Sequence, residues 1–469
     1  MIEVDVRTDG VAVVVALAGT GDGRDTLTGS FCEELVCVVE RTARDARVVG
    51  VVLASAERSG FLAGRDLASF EHLRLARDAE RGARAMAARF DRIAAIGKPI
   101  VAAVDGPAVG VGFELALACT AIVATDDPST TVGLPDVRLG LLPPANGLLR
   151  VASRAGLRVA LDIGLAGDPV DRASALRLGL VDELCSRAVL VDVAAARAKT
   201  STLLPARSLD DRLRRLALEN PASRRLLFAR TRAAVLAKTR VHSAAASKVV
   251  DVLAHFSRHG VRAAADLEAR AFGELVVTEA SRRLVELSRA LEALDGSRSP
   301  LAWLLPRAMP ESLVARGIGR YTSRIWDAVA DEARRIATEG VPARAIQEAL
   351  ATWGWTSGPL DLGPIAVGFV SDAPPPPAEE LQMRLVLRLV NEALSSLDDG
   401  TVRDLRDGDV GAVLGLGFPS FRGGPFRYID AVGPEEILHR MRGYEARFGA
   451  RFTPTPALIA RASSGLRFY

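Results

Sequence analysis

"PIVAAVDGPAVGVGFELALACTAIVAT", residues 99–125, carries the reading of the fold. Residues 99–106 and 120–125 are short apolar runs of the kind that form buried strands. The stretch between them opens on glycines and continues as an apolar helix. Strand, helix and strand in such close succession point to α/β architecture. One residue stands out: Glu114 lies in the first turn of that helix, among Val, Phe, Leu and Ala. A buried carboxylate is costly unless it is paired or neutral. Glu114 is therefore either a solvated acid complementing the helix N-terminus or an acid buried for use.

The same alternation extends outward. "VDVRTDGVAVVVAL" reads as a hairpin turning at Asp9-Gly10, "VVGVVLAS" (48–55) as another buried strand, and "AERGARAMAARFDRIAAI" (79–96) as an amphipathic helix. From about residue 190 the strand signal fades and helical periodicity takes over. "LDGSRSPLAWLLPRAMPES" (294–312) reads as a joint and "SDAPPPPAEE" (371–380) as an extended polyproline linker. Helical patterns at 321–340, 342–354 and 379–396 lie around that linker, followed by a Gly/aromatic segment, "GLGFPSFRGGPFRYIDAVG" (415–433), whose composition fits packed turns.

The 469 residues balance 60 basic against 57 acidic side chains, with no basic block, which argues against nucleic acid as a partner. Cys32, Cys37, Cys119 and Cys185 are scattered in apolar runs without metal-ligand spacing, and read as buried free thiols. No apolar stretch is long enough to span a membrane, and no leader pattern opens the chain, so the expected location is cytoplasmic.

Four short segments combine into a possible site: "FLAGRD" (61–66), "GVGFE" (110–114), "GLPDVRLG" (133–140) with a second acid, Asp136, and the turn at Pro143-Pro144. Backbone N–H groups on separate turns can converge on one carbonyl oxygen. Two carboxylates beyond that point can hold a water or move a proton.

With "ALRLGLVDEL", these segments give residues 1–190 a resemblance to the crotonase (enoyl-CoA hydratase/isomerase) superfamily. The likeness continues along the chain. "DLEARAFGELVVTEAS" resembles the linker helix of the multifunctional fatty-acid oxidation α-subunit, and 320–362 and 381–445 resemble its C-terminal helical 3-hydroxyacyl-CoA dehydrogenase domains. Its NAD-binding Rossmann domain has no counterpart, and no strand-then-GxGxxG fingerprint occurs. "GIGRYTS" (317–323) lacks the third glycine, and "HFSRHG" (255–260) only faintly echoes the dehydrogenase's catalytic-histidine strand.

The resemblance implies a crotonase ββα spiral at 1–190, a helical extension and linker helix at 191–293, and a joint at 294–315. Two dehydrogenase-like helical segments follow, at 316–370 and 381–469, with the Pro-rich linker 371–380 between them. It implies backbone amides of Ala63 and Val111 as an oxyanion hole, with Glu114 and Asp136 as the catalytic pair acting on an acyl-CoA or acyl-carrier-protein thioester. It implies no NAD and no metal, and either a thiolase-like subunit or a homo-oligomer as partner. Asp136 is one methylene shorter than the family's glutamate, Val111 replaces a glycine, and the turn "PPANGLLR" (143–150) departs from the family's Gly-rich "PGxGGTxR". The expected activity is hydratase or isomerase chemistry without a dehydrogenase step. The alternative is a catalytically impaired scaffold or binding subunit.

Overall fold

The computed structural model describes residues 2–16, 28–56, 60–62, 72–200, 220–239, 244–295, 309, 311–355 and 376–469. They form two compact units, one ending at Arg282 and the other beginning at Arg283.

In the N-terminal unit the expected hairpin forms. Strands β1 (Ile2–Val6) and β2 (Val11–Ala16) pair antiparallel, with Gly10 at φ 82° in the turn. Strands β3 (Gly50–Ser55), β4 (Ile100–Val104), β5 (Ala108–Val109), β6 (Ala121–Thr125), β7 (Thr131–Gly133), β8 (Val170–Asp171) and β9 (Glu183–Cys185) complete two sheets. The larger has the order β1-β2-β3-β4-β6-β9, parallel from β2 onward. β4 and β6 are buried along their whole length, which explains their unbroken apolar sequences. The helix Leu190–Thr200 lies against this sheet. A Cβ on Gly50 would come 2.7 Å from the Ala198 carbonyl oxygen, so only glycine fits there.

The smaller sheet positions the site. β5 and β7 run parallel, with Ala108 opposite Val132 and Val109 opposite Gly133. The helix Val111–Ala118 leaves the C-terminal end of β5, and the 3₁₀ turn Pro135–Leu139 leaves the same end of β7. Both acids singled out in the sequence therefore follow adjacent, parallel strand ends, where α/β folds collect ligand-binding groups. Beyond β9 no strand occurs among the described residues.

In the C-terminal unit, helices on both sides of the Pro-rich segment share one core that includes Tyr321, Ile325, Leu350, Val386, Phe426 and Met441. The helices Ile318–Thr338 and Ala343–Trp353 both pack on Ala378–Asp398, so the two helical segments do bury their apolar faces together. Most of the expected joint 294–315, and residues 371–375 of the linker, lie outside the described residues. The Gly/aromatic segment is a set of packed turns. Trp353, Trp355, Phe418 and Tyr428 meet edge to face or tilted, the Trp355 indole N–H donates to the Leu416 carbonyl (2.9 Å), and Arg422 lies 4.4 Å over the Trp353 ring.

One expectation changes. Cys32 and Cys119 are buried, and burial pushes each thiol up to about 12, but Cys37 is exposed and Cys185 half-buried. Cys37 lies one position before the apolar stripe of Gly29–Arg44 resumes at Val38 and Val39, which turns it outward. "HFSRHG" lies, as the helical periodicity of its region implies, in the long helical stretch Ala244–Val276, which breaks at Gly260 (φ 81°). "GIGRYTS" likewise opens the helix Ile318–Thr338, with Gly317 as its left-handed cap (φ 84°).

Candidate active site

Glu114 is fully buried, which removes the reading of a solvated helix-end acid. Its partners come from another turn. The backbone N–H groups of Ala145 and Gly147 both donate to Glu114 Oε1, each at 2.8 Å. Pro143 and Pro144 have no N–H to give, and the amides of Ala145 and Gly147 are aimed at this carboxylate. Asn146 between them adopts φ 64°, which swings the 145 and 147 amides to one side. Gly147 is required by closeness, since a Cβ there would lie 2.8 Å from Glu114 Oε1. The turn "PPANGLLR" thus departs from the family's pattern yet forms a seat for the first acid.

The approach of the helix N-terminus is equally specific. Gly110 takes φ 56° and its N–H bonds to the Gly133 carbonyl (2.9 Å), tying the helix start to β7. A Cβ on Gly112 would sit 2.6 Å from the Phe61 carbonyl oxygen and 2.8 Å from that of Leu62. The glycine therefore lets the turn carrying Val111 press against residues 61–62, where Leu62 holds a strained φ of 43°. Val111 is the first residue of its helix, where a backbone N–H has no intrahelical acceptor. Ala63 lies outside the described residues.

Asp136 is also buried, in the first turn of Pro135–Leu139, and its carbonyl accepts from the Leu141 N–H (3.0 Å). That turn is anchored from far along the chain: the buried Ser281 hydroxyl donates to the Leu139 carbonyl at 2.8 Å.

A third acid was not singled out by sequence. Glu268, from the stretch Ala244–Val276, is 1% exposed. Burial, and then the charge of Glu114, push its carboxyl well above the usual carboxylate range. The Asp136 charge adds to this, while the Leu148 backbone N–H and Arg150 oppose it. Among the described residues no group of three or more His, Cys, Asp or Glu side chains is arranged to hold a metal ion, and no helix is long and apolar enough to cross a membrane.

Comparison with known proteins agrees with this architecture. Residues 22–245 match the enoyl-CoA hydratase/isomerase family. That match covers the N-terminal region, which carries the mixed α/β sheets, while the C-terminal region is mostly helical. Among similar solved structures is an enoyl-CoA hydratase subunit I from Geobacillus kaustophilus, 28% identical over 50% of this chain and 94% of its own, with a TM-score of 0.38. An enoyl-CoA hydratase/carnitine racemase from Magnetospirillum magneticum is 26% identical over 47% and 83%, TM-score 0.38. Human mitochondrial delta3-delta2-enoyl-CoA isomerase is 21% identical over 63% and 98%, TM-score 0.44.

Proposed function

We propose that this protein acts on acyl-CoA or other acyl thioesters by hydratase or isomerase chemistry, with Glu114 and Asp136 as its catalytic acids. The observation that carries the reading is the placement of both acids, fully or almost fully buried, just beyond the adjacent ends of β5 and β7. In this reading the backbone amides of Val111 and Ala63 hold the thioester carbonyl oxygen, where negative charge develops as a proton leaves or joins the neighbouring carbon. One carboxylate accepts a proton from water or from the acyl chain, and the other acid returns a proton to carbon, so protons balance over the cycle. Neither NAD nor a metal takes part, and no hydride step follows. The remaining parts of the proposal are the organisation into a 1–190 catalytic domain with helical segments beyond it, a cytoplasmic setting, and either a thiolase-like partner or self-association.

A second reading is a binding scaffold. It is favoured by the two amide bonds that fasten Glu114 to the 145–147 turn, since a structural acid has the same need. One experiment separates the two. A 2-enoyl-CoA and a 3-enoyl-CoA are offered to the full chain, with thermal stabilisation and turnover both recorded. Ligand at a hundred times its Kd adds about 2.7 kcal/mol of stability. Stabilisation with turnover supports the enzyme, stabilisation alone supports the scaffold, and neither response from any acyl thioester overturns both.

A further inference from the structure

Serine and threonine hydroxyls on helices commonly serve their own backbone. Thr278 does so, donating to the Leu275 carbonyl at 2.7 Å, and Ser257 likewise donates to that of Ala254 at 2.8 Å. Ser281, in the first turn of the helix Glu279–Asp295, does not. It is buried, and its hydroxyl donates instead to the Leu139 carbonyl at 2.8 Å, at the end of the turn that bears Asp136. The start of its helix fixes where it stands: the Ser281 N–H donates to the Thr278 hydroxyl oxygen (3.2 Å) and the Arg282 N–H to the Thr278 carbonyl (3.1 Å). The preceding helix is itself held close to Ala76–Ala94, because a Cβ on Gly273 would lie 2.4 Å from the Ala76 carbonyl oxygen.

What Ser281 holds is one edge of a single peptide plane. The N–H of Gly140 donates back into the turn, to the Val137 carbonyl at 3.0 Å, and the next N–H, of Leu141, donates to the carbonyl of Asp136 itself. In a trans peptide the C=O points opposite to the N–H. The Leu139 carbonyl therefore faces away from its own turn and needs a donor from elsewhere, which Ser281 supplies. Leu139 and Leu141 are both buried, so bulk water is a poor substitute. The turn's other tie, the ion pair of Arg138 with Asp168, is partly exposed and correspondingly weak.

We propose that Ser281 is a positioning residue of the acyl-thioester site: through the Leu139 carbonyl it sets where the turn Pro135–Leu139 holds Asp136. It acts through the turn and not on substrate. Without the hydroxyl a buried carbonyl loses its donor, the 139–140 peptide is free to rotate towards another, and the amides bonded to the Asp136 and Val137 carbonyls move with it. A displacement of about 1 Å at a reacting group costs on the order of 10²-fold in rate. Ser281 lies beyond residue 245, where the family match ends, so this contact comes from a part of the chain that the match does not cover.

The hold on the turn rests on geometry alone; its link to catalysis rests on the function proposed above, and the test separates the two. Hydrogen exchange of the full-length protein is expected to speed up in Ser281→Ala over residues 135–142, and to stay as in the wild type over 144–150, where the Ala145 and Gly147 amides seat Glu114. Unchanged exchange over 135–142 overturns the proposal whatever the enzyme does. With an enoyl-CoA that the wild type turns over, kcat of Ser281→Ala is expected to fall about 10- to 10²-fold with little change in KM. Ser281→Thr keeps the hydroxyl, and kcat and exchange are expected to move together across the two variants. Faster exchange with an unchanged kcat, a low kcat with wild-type exchange, or a loss carried by KM alone overturns the link to Asp136. Failure of the functional reading shows earlier and separately, as a wild type that turns over no acyl thioester, and the positioning role falls with it.

Discussion

Each unit of the molecule buries charge, and the two do it in opposite ways. In the C-terminal unit Glu332 is fully buried and Arg384 is 1% exposed, and they are matched. Arg384 Nε donates to Glu332 Oε1 (2.8 Å), Arg451 Nε donates to Glu332 Oε2 (2.5 Å), and Arg384 reaches Glu339 as well. The Arg384 guanidinium also lies 4.2 Å over the Phe448 ring. In the N-terminal unit Glu268 is buried with no cation in an ion pair to it among the described residues, and burial and then the charge of Glu114 push its carboxyl well above the usual range. A matched network joins helices and does no further chemistry, whereas a buried acid without a built-in cation keeps a proton ready to move. The contrast teaches that buried charge alone says little; what matters is whether its complement is built in beside it.

The largest expected effect is in the N-terminal unit. Glu114→Gln keeps the shape and the two amide contacts but removes the charge, and turnover of an enoyl-CoA is expected to fall by about 10²- to 10⁴-fold. Acyl-CoA affinity, read by calorimetry, should stay close to that of the wild type. Unchanged turnover would place Glu114 with the matched, structural acids and erase the contrast.

On the matched side, Glu332→Ala leaves Arg384 buried without its fully buried partner. Chemical denaturation is expected to show a loss of about 3–5 kcal/mol. A loss below about 1 kcal/mol would mean that Glu339 and water compensate fully, and that the network is not the tie it looks to be.

Gly147→Ala sharpens the comparison at the seat of Glu114. The added methyl meets Glu114 Oε1 at 2.8 Å and Leu134 at 3.0 Å, both in a close-packed wall. A stability cost of about 1–3 kcal/mol is expected from overpacking, with a fall in kcat and little change in KM, since the carboxylate and not the thioester seat is displaced.

The last test concerns an acid of intermediate kind. Asp409 is buried, and burial pushes its carboxyl up to about 7 although the Tyr469 hydroxyl (2.8 Å) and the Phe426 N–H (2.8 Å) both donate to it. The unfolded chain releases this proton near the ordinary value of 3.8, while the native chain keeps it up to about 7. Its contribution to stability is therefore complete below about 4 and is lost as pH rises to about 7, with no further change above. Denaturation between pH 4 and 8 should show that decline in the wild type and its absence in Asp409→Asn. Tyr469→Phe should cost about 1 kcal/mol and carry the decline to higher pH, because the hydroxyl favours the charged form.

How much of this was legible follows from where each signal sits. The hairpin was visible because Asp9-Gly10 supplies the turn between alternating strands, and β4 and β6 because parallel strands buried on both faces are written as unbroken apolar runs. Glu114 was visible because it interrupts an apolar helix directly after two glycines. Asp136 was visible as a second acid after a proline turn, but nothing in "GLPDVRLG" distinguishes a buried acid from a solvated one, and its catalytic role was implied only by the family resemblance. Glu268 was missed although its signal was of the same kind as that of Glu114: it interrupts the apolar stripe 264, 268, 271, 272, 275. The surrounding Asp266, Arg270 and Glu274 hid it by making the helix look uniformly charged. Ser281 and the amides of Ala145 and Gly147 had no signal to find, since backbone donors and a lone serine are specified by the tertiary path and not by local pattern.

The hydroxyl of Ser281 on the Leu139 carbonyl has a practical meaning for anyone dissecting this chain. The stretch recognisable as a family member stops at residue 245, so a gene trimmed to that border, or a chimera joined there, would look catalytically whole on paper. It would lack both the latch on the turn that bears Asp136 and the carboxyl of Glu268. Modularity by resemblance and modularity by mechanics part company here, and a version that keeps the latch extends past Ser281.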